Sequence, residues 1–357
     1  MGEKIICGEN IERELLQLFP EEILSALLNG GYSEKELRSF YGDNIFRWLH
    51  SRLKKDPMDF SDIPKSLRQF LSNEFTIFQF NEAHSFLSKD GSEKVRLMCL
   101  DRHEIETVYL PYRKWRSVCV SSQIGCKWGC SFCYTGKMGF KRNLTASEIV
   151  EQVYWFVRKY GTITHVVYMG MGEPLDNYEQ VLRSIKLLNH PEGQRIGMRK
   201  ITISTVGIIP SIERLLSERI QVNLAISLHN PIPEEREYQI PAERVYPLKK
   251  LLPLLRKYYQ ITRRQITFEY VVLPGINDTN RHARALVKIL RGWDCKVNLI
   301  PYNVVGISSK ERKKYKSACS HFMAKLYHLG ISKVTVRSSR GWDIAGGCGQ
   351  LALMSHR

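Results

Sequence analysis

The chain has 357 residues, 43% hydrophobic and 25% charged, with 53 basic against 36 acidic side chains for a formal net charge of +17. That size suits a large catalytic domain with a small accessory one, and the composition excludes collagenous, low-complexity and disulfide-dense secreted classes. No apolar run approaches membrane-spanning length and the opening MGEKIICGENIEREL carries acids instead of an apolar core, so cytoplasmic residence with no membrane partner is expected.

Residues 1–74 read as a helical accessory domain with helices over 10–18, 20–29, 33–41, 43–54 and 64–73; Ile45, Trp48, Leu49 and Leu53 repeat at helical spacing. Residues 75–112 read as a β-rich extension, with strands over 75–80, 94–100 and 107–110. Over 113–357 strands and helices alternate. Strands are predicted at 117–122, 164–169, 200–204, 221–228, 265–273, 296–300 and 333–337, and helices at 146–159, 177–188, 210–217, 247–259, 279–292 and 312–329. Six β/α units with Val- and Ile-rich strands predict an α/β fold with a parallel sheet and its site at the C-terminal strand ends. Six are too few to close an eight-fold barrel, so an open (β/α)6 partial barrel is expected.

The loop after the first of these strands reads Cys126-Lys-Trp-Gly-Cys130-Ser-Phe-Cys133. Three thiolates at C-x3-C-x2-C spacing can hold three irons of a [4Fe–4S] cube and leave the fourth open to a cofactor. This is the pattern of radical S-adenosylmethionine (SAM) enzymes. A structural zinc site needs a fourth Cys or His at closed spacing, and none lies immediately downstream. Later strand ends carry Gly170-Met-Gly172-Glu173-Pro174, Ser204-Thr205, Ser227-Leu228-His229-Asn230 and Pro301-Tyr302-Asn303. Each alone reads as an ordinary loop. Together, at equivalent ends of one sheet, they describe a nucleoside-cofactor site, with glycines for close approach and a carboxylate for an ammonium.

Two further cysteines stand apart. Cys119, on a strand, reads as a small buried hydrophobe. Cys348, in Gly346-Gly347-Cys348-Gly349-Gln350, has little packing to do and suits a nucleophile on a mobile, exposed loop. Basic residues mix with aromatics in Arg113-Lys-Trp115-Arg116, 137–142, 256–259 and 310–316; with the net charge they favour a nucleic-acid partner.

The runs Cys119-Val-Ser-Ser-Gln-Ile-Gly-Cys126, Arg142-Asn-Leu-Thr-Ala, Met169-Gly-Met-Gly-Glu-Pro-Leu175, Ile203-Ser-Thr, Ser227-Leu-His229, Val297-Asn-Leu-Ile-Pro-Tyr-Asn303 and Cys348-Gly-Gln-Leu351 resemble the RlmN/Cfr family of radical SAM RNA adenine methyltransferases. The resemblance implies that Cys126, Cys130 and Cys133 ligate one [4Fe–4S] cluster. It implies that Gly172, Glu173, Ser204, Ser227, Leu228, His229 and Asn303 contact SAM, and that two SAM molecules serve each turnover. Cys348 would be methylated by the first. The second, cleaved at the cluster, would give a radical that takes hydrogen from the Cys348 methyl, whose carbon then adds to adenine. Cys119 would release product through a transient disulfide, and Glu106 would act as general base. The implied partners are 23S ribosomal RNA (adenosine 2503), in some members transfer RNA (adenosine 37), an external electron donor and a disulfide reductant.

Pro174 and Pro301-Tyr302-Asn303 resemble the C2-methylating branch more than the C8-methylating Cfr branch. The family usually has Ala-Ala-Cys where this chain has Gly346-Gly347-Cys348, so a looser loop is expected. The alternatives are a Cfr-like C8 enzyme and a non-catalytic RNA- or zinc-binding protein on the same fold.

Overall fold

The computed structural model describes residues 14–33 and 35–353. Three helices open it, α1 (Pro20–Asn29), α2 (Tyr41–His50) and α3 (Lys65–Glu74). Helix α2 buries Ile45, Trp48 and Leu49 of the predicted face, with Phe46 beside them, but it ends at His50, so Leu53 of the predicted 43–54 helix lies beyond it at φ +55°. Residues 10–13 of the predicted 10–18 helix lie outside the described residues; in the rest, Leu15–Gln17 forms a single 3-10 turn in place of a helix. The predicted 33–41 helix does not form. Its described residues from Lys35 to Phe40 are exposed apart from half-buried Leu37, so no packing offsets the cost of helix nucleation, and one turn closes on the Ser33 carbonyl instead.

Strands β1 (Glu82–Leu87), β2 (Glu93–Met98) and β3 (Glu104–Pro111) run antiparallel, and β3 pairs antiparallel with β4 (Arg116–Val120). The predicted strand over 75–80 is replaced by β1, with only an isolated bridge between Thr76 and Glu14. Strand β1 is largely exposed, so its sequence shows no apolar alternation; backbone pairing to β2 holds it. A hairpin missed in the sequence, β5 (Gln123–Gly125) with β6 (Phe140–Asn143), brackets the cysteine loop, whose last residues lead into the single turn α4 (Tyr134–Lys137).

The alternating half follows the prediction. Helices α5 (Ala146–Tyr160), α6 (Tyr178–Asn189) and α7 (Ile209–Ser217) separate β4, β7 (His165–Tyr168), β8 (Ile201–Thr205) and β9 (Asn223–Ser227). Beyond a short extra helix, α8 (Pro233–Gln239), come α9 (Leu248–Thr262), β10 (Thr267–Val272), α10 (Asn280–Leu290), β11 (Lys296–Pro301), α11 (Ser309–His328) and β12 (Val334–Val336). Helix α5 starts where a Thr145–Glu148 capping box satisfies two orphan N–H groups, and α11 repeats the device with Ser308 and Glu311. Seven strands, β4 and β7 to β12, pair in parallel in chain order. With β1–β3 they make one open ten-stranded sheet, a partial barrel with six β/α crossovers. No helix among the described residues is long and apolar enough to cross a membrane.

Candidate active site at the strand ends

The cysteine loop is pinned on several sides. The Cys126 N–H donates to the Gly139 carbonyl (3.1 Å) and the Ser131 N–H to Gln239 of α8 (3.0 Å). Asp176 takes the Trp128 indole N–H (2.5 Å) and pairs with the Lys127 ammonium (2.8 Å). Cys126, Cys130 and Cys133 therefore line one cleft. Burial pushes the Cys126 thiol up to about 12 and raises Cys130 as well. Among the described residues no three His, Cys, Asp or Glu side chains converge closely enough to hold one ion. Three soft thiol donors that line one cleft without converging on a single ion fit a cluster that gives each cysteine its own iron.

The turn after β7 lines the same cleft. Gly170 packs so tightly that a Cβ there would lie 2.7 Å from the Ser121 hydroxyl and the Val120 carbonyl. Gly172 has φ +98°, and a Cβ on it would meet the Gln123 side chain at 2.5 Å. Only glycine satisfies both the conformation and the approach. Glu173 follows, buried, accepting the N–H groups of Leu175 (3.0 Å) and Val206 (2.9 Å). Burial raises its carboxyl to about 7 despite those bonds. Ser204, Ser227 and His229 reach the same cleft from β8 and β9. His229 sits at φ +52°; its Nδ1 accepts the Val271 N–H (2.9 Å), and burial holds the ring neutral, down to about 3. The Phe132 ring meets the His229 ring edge-on at 4.6 Å.

Two predicted contacts are placed elsewhere. The Leu228 side chain is fully buried, its N–H bound to Glu269 (3.1 Å) and its carbonyl to Arg236 (3.1 Å), and it does not line the cleft. Asn303 lines an adjoining cleft, where its side-chain N–H donates to the Cys348 carbonyl (3.3 Å).

Cys348 lies in the wall common to both clefts, and Cys119 lies in the second. Burial pushes the Cys119 thiol up to about 12, with Cys348 beside it adding to the effect. The Cys348 loop differs from the mobile, exposed loop expected from its glycines. Cys348 is half-buried. Around it the Gly346 N–H binds Gly341 (2.7 Å), the Gly349 carbonyl takes the Tyr134 N–H (2.9 Å), and the Leu351 carbonyl takes the Thr135 hydroxyl (2.5 Å). A Cβ at Gly347 would lie 2.7 Å from the Gln350 side-chain oxygen, so close packing, not looseness, accounts for the glycine.

Glu106 is fully buried, paired with Lys94 (2.9 Å), and accepts the Ala352 N–H (3.0 Å). Since Val108 pairs with Cys119 across β3 and β4, Glu106 and Cys119 share one face of the sheet. Three further groups escaped sequence reading. Arg337, after β12, lines both clefts and is held above its usual range chiefly by Cys348. Glu269 is a buried carboxylate within β10, bound to Asn298 (2.8 Å). Arg236 is fully buried and ties the carbonyls of Val206 and Ser227 (both 3.0 Å) together with Glu243. A lone charge in an otherwise apolar strand was the available signal for Glu269; nothing local marked the two arginines.

The Radical SAM superfamily matches residues 120–286. The chain is 39% identical over 350 residues to the probable dual-specificity RNA methyltransferase RlmN of Heliobacterium modesticaldum, covering 95% of this chain and 89% of that protein. It is 38% identical over 351 residues to the probable dual-specificity RNA methyltransferase RlmN of Thermus thermophilus, covering 96% and 93%. A solved radical SAM methyltransferase from Sphaerobacter thermophilus superposes with a TM-score of 0.84 at 38% identity, over 95% of this chain and 98% of that one. The superfamily implies a [4Fe–4S] cluster and SAM, which the three thiols and the glycine-rich wall fit, and a non-catalytic reading of the fold is set aside. By fold, by cysteine loop and by likeness along nearly its whole length, the chain belongs to the RlmN family of radical SAM methyltransferases.

Proposed function

We propose that the protein methylates C2 of adenine in RNA, at adenosine 2503 of 23S ribosomal RNA and at adenosine 37 of transfer RNA, using two SAM molecules per methyl delivered. The observation that carries this reading is the place of Cys348, in a wall shared by the cluster cleft and the cleft that holds Cys119. An amidine carbon is electron-poor and no nucleophile, so direct transfer from a sulfonium cannot reach it. The cluster and SAM, bound by Cys126, Cys130 and Cys133 and by Gly172, Glu173, Ser204, Ser227 and His229, supply one-electron chemistry able to take hydrogen from a methyl group.

The chain's own residues do the rest. Cys348 carries the methyl as a thioether. Cys119 attacks its sulfur, forming an S–S bond as the bond from sulfur to the transferred carbon breaks. An external dithiol then reopens the disulfide, and an external donor supplies the electron. Glu106 handles the proton at the modified carbon. Its bond to Ala352 couples that task to the tail that bears Cys348. Leu228 supports Ser227 and His229 from behind the cleft, and Asn303 steadies the Cys348 backbone.

Nucleoside mass spectrometry on ribosomal and transfer RNA, from cells with and without the gene, tests the reading. Loss of 2-methyladenosine is expected. Loss of 8-methyladenosine instead would assign the C8 reaction, and full activity of Cys348→Ala would remove the methyl-carrier role.

A further inference from the structure

The face of β2 and β3 that lies under the Cys348 loop carries a buried cation. Lys94 on β2 pairs with Val108 of β3, and a Cβ at Gly346 would lie 3.5 Å from the Val108 side chain. The Lys94 side chain is 1% exposed. Such a charge persists in the interior only where another answers it. The Phe86 ring of β1 lies 5.2 Å from the Lys94 ammonium, and Oε1 of Glu106 lies 2.9 Å from it. The dependence runs both ways. Oε2 of Glu106 accepts the Ala352 N–H (3.0 Å), but among the described residues nothing except this ion pair answers Oε1. Arg96 stands directly opposite Glu106 in the β2–β3 register, yet its guanidinium pairs with Glu104 (3.9 Å). From β4 come Ser121, whose hydroxyl donates to the Glu106 carbonyl (2.6 Å), and Cys119, a thiol that burial keeps neutral. The turn after β7 brings the Met171 sulfur, which accepts the Glu106 N–H (3.3 Å). Lys94 is thus the cation set directly against the Glu106 carboxylate.

A buried carboxyl without a counter-charge keeps its proton, and a base that already holds a proton cannot take another. We propose that Lys94 is a positioning residue for the proton-transfer step. Its ammonium keeps Glu106 a carboxylate inside the sheet and fixes one oxygen, while the Ala352 N–H fixes the other. The proton passes from the modified carbon to Glu106, the electron pair of that C–H bond stays with the ring, and no bond of Lys94 breaks. The inference rests on the general-base reading of Glu106 above and adds what keeps that base free of its own proton.

Infrared difference spectra of full-length, cluster-loaded protein at pH 7, without SAM or RNA, test the ion pair. Wild type minus Glu106→Gln, a comparison that leaves Lys94 in place, is expected to show the bands of an ionised carboxylate; a neutral-acid carbonyl band there overturns the inference. Lys94→Met minus the Lys94→Met/Glu106→Gln double variant is expected to show the neutral acid, and Lys94→Arg to keep the carboxylate. A carboxylate that persists in Lys94→Met overturns the inference too. Methylation gives the second reading. At saturating RNA, Lys94→Met should lower kcat at pH 7 by about tenfold or more, since an opposite charge at this range shifts a carboxyl by about one to three pH units. Recovery at pH 9 and rescue by Lys94→Arg are expected. An equal loss at both pH values would mark a merely structural role and overturn the inference. Full methylation by Glu106→Gln would remove the general-base reading and this role of Lys94 with it, while the infrared spectra still report the ion pair.

Discussion

Two loops bring sulfur to this site, and they are built in opposite ways. The 126–133 loop leaves β5 and leads through α4 to its pairing partner β6, so a local hairpin closes it. The 341–353 loop has no such partner in its own neighbourhood. Asp343 takes the Ser88 hydroxyl (2.5 Å) and the Lys89 N–H (3.1 Å), Asp90 takes the Gly341 N–H (3.0 Å), and Glu106 takes the Ala352 N–H (3.0 Å). The β1–β2 turn and β3, some 250 residues upstream, hold the segment around Cys348 together with Tyr134 and Thr135 of α4. The first loop is closed by its own hairpin and steadied by Asp176 and Gln239, whereas the second has no hairpin of its own and depends on distant parts of the sheet.

Exchanging sulfur in each loop is the severest way to break this contrast. Cys130→Ala should lose the iron and, with it, all methylation; Cys348→Ala should keep the iron and lose methylation alone. Iron analysis and visible absorbance after anaerobic reconstitution decide it, and iron loss in both variants would mean the loops are not independent. Next in size is Gly172→Ala, at the turn that faces the cysteine loop. A side chain at φ +98° and 2.5 Å from Gln123 costs about 1–3 kcal/mol, visible as a lower thermal midpoint and weaker SAM binding.

A group outside both loops gives a baseline. His50 is fully buried, stacked on Phe46 at 4.0 Å and bonded to the Tyr154 hydroxyl (2.7 Å), and burial lowers it from 6.5 to about 3. Between those values the unfolded chain binds the extra proton, so this stabilisation is complete above pH 6.5 and falls with pH by roughly 1.4 kcal/mol per unit. Urea titrations at pH 5 and 7 should show that loss, and His50→Gln should reduce the difference. The smallest effect is expected from Asp343→Ala. It removes two hydrogen bonds of an exposed carboxylate, at most about 1 kcal/mol each. Amide exchange should quicken in 341–353 and stay unchanged in the cysteine loop; equal quickening in both would erase the distinction.

The alternating half was legible because each strand is a short Val/Ile-rich run between amphipathic helices, and parallel pairing in chain order follows from connections of that length. The N-terminal half was less so. Residues 35–40 have helical spacing but nothing to pack on, and β1 is a strand with almost no apolar residue facing a core. At the site, the spacing of Cys126, Cys130 and Cys133 and the glycine-flanked Glu173 could be read directly, because their chemistry is written into adjacent residues. Arg236 and Arg337 could not, because each acts on partners distant in the chain, and Glu269 was marked only by its lone charge within a strand.

The sequence by itself determined the β/α succession, the three-thiol motif and the glycine turn that faces it, since spacing of a few residues fixes periodicity, donor set and backbone freedom. Only the tertiary structure decided that Cys119 and Cys348 share a cleft, that Glu106 is bound to the tail after Cys348, and that the Arg340 guanidinium packs on the Tyr112 ring in the same cleft. Those contacts join residues that lie some 230 or more positions apart, and no local pattern encodes a distance that only a folded sheet sets.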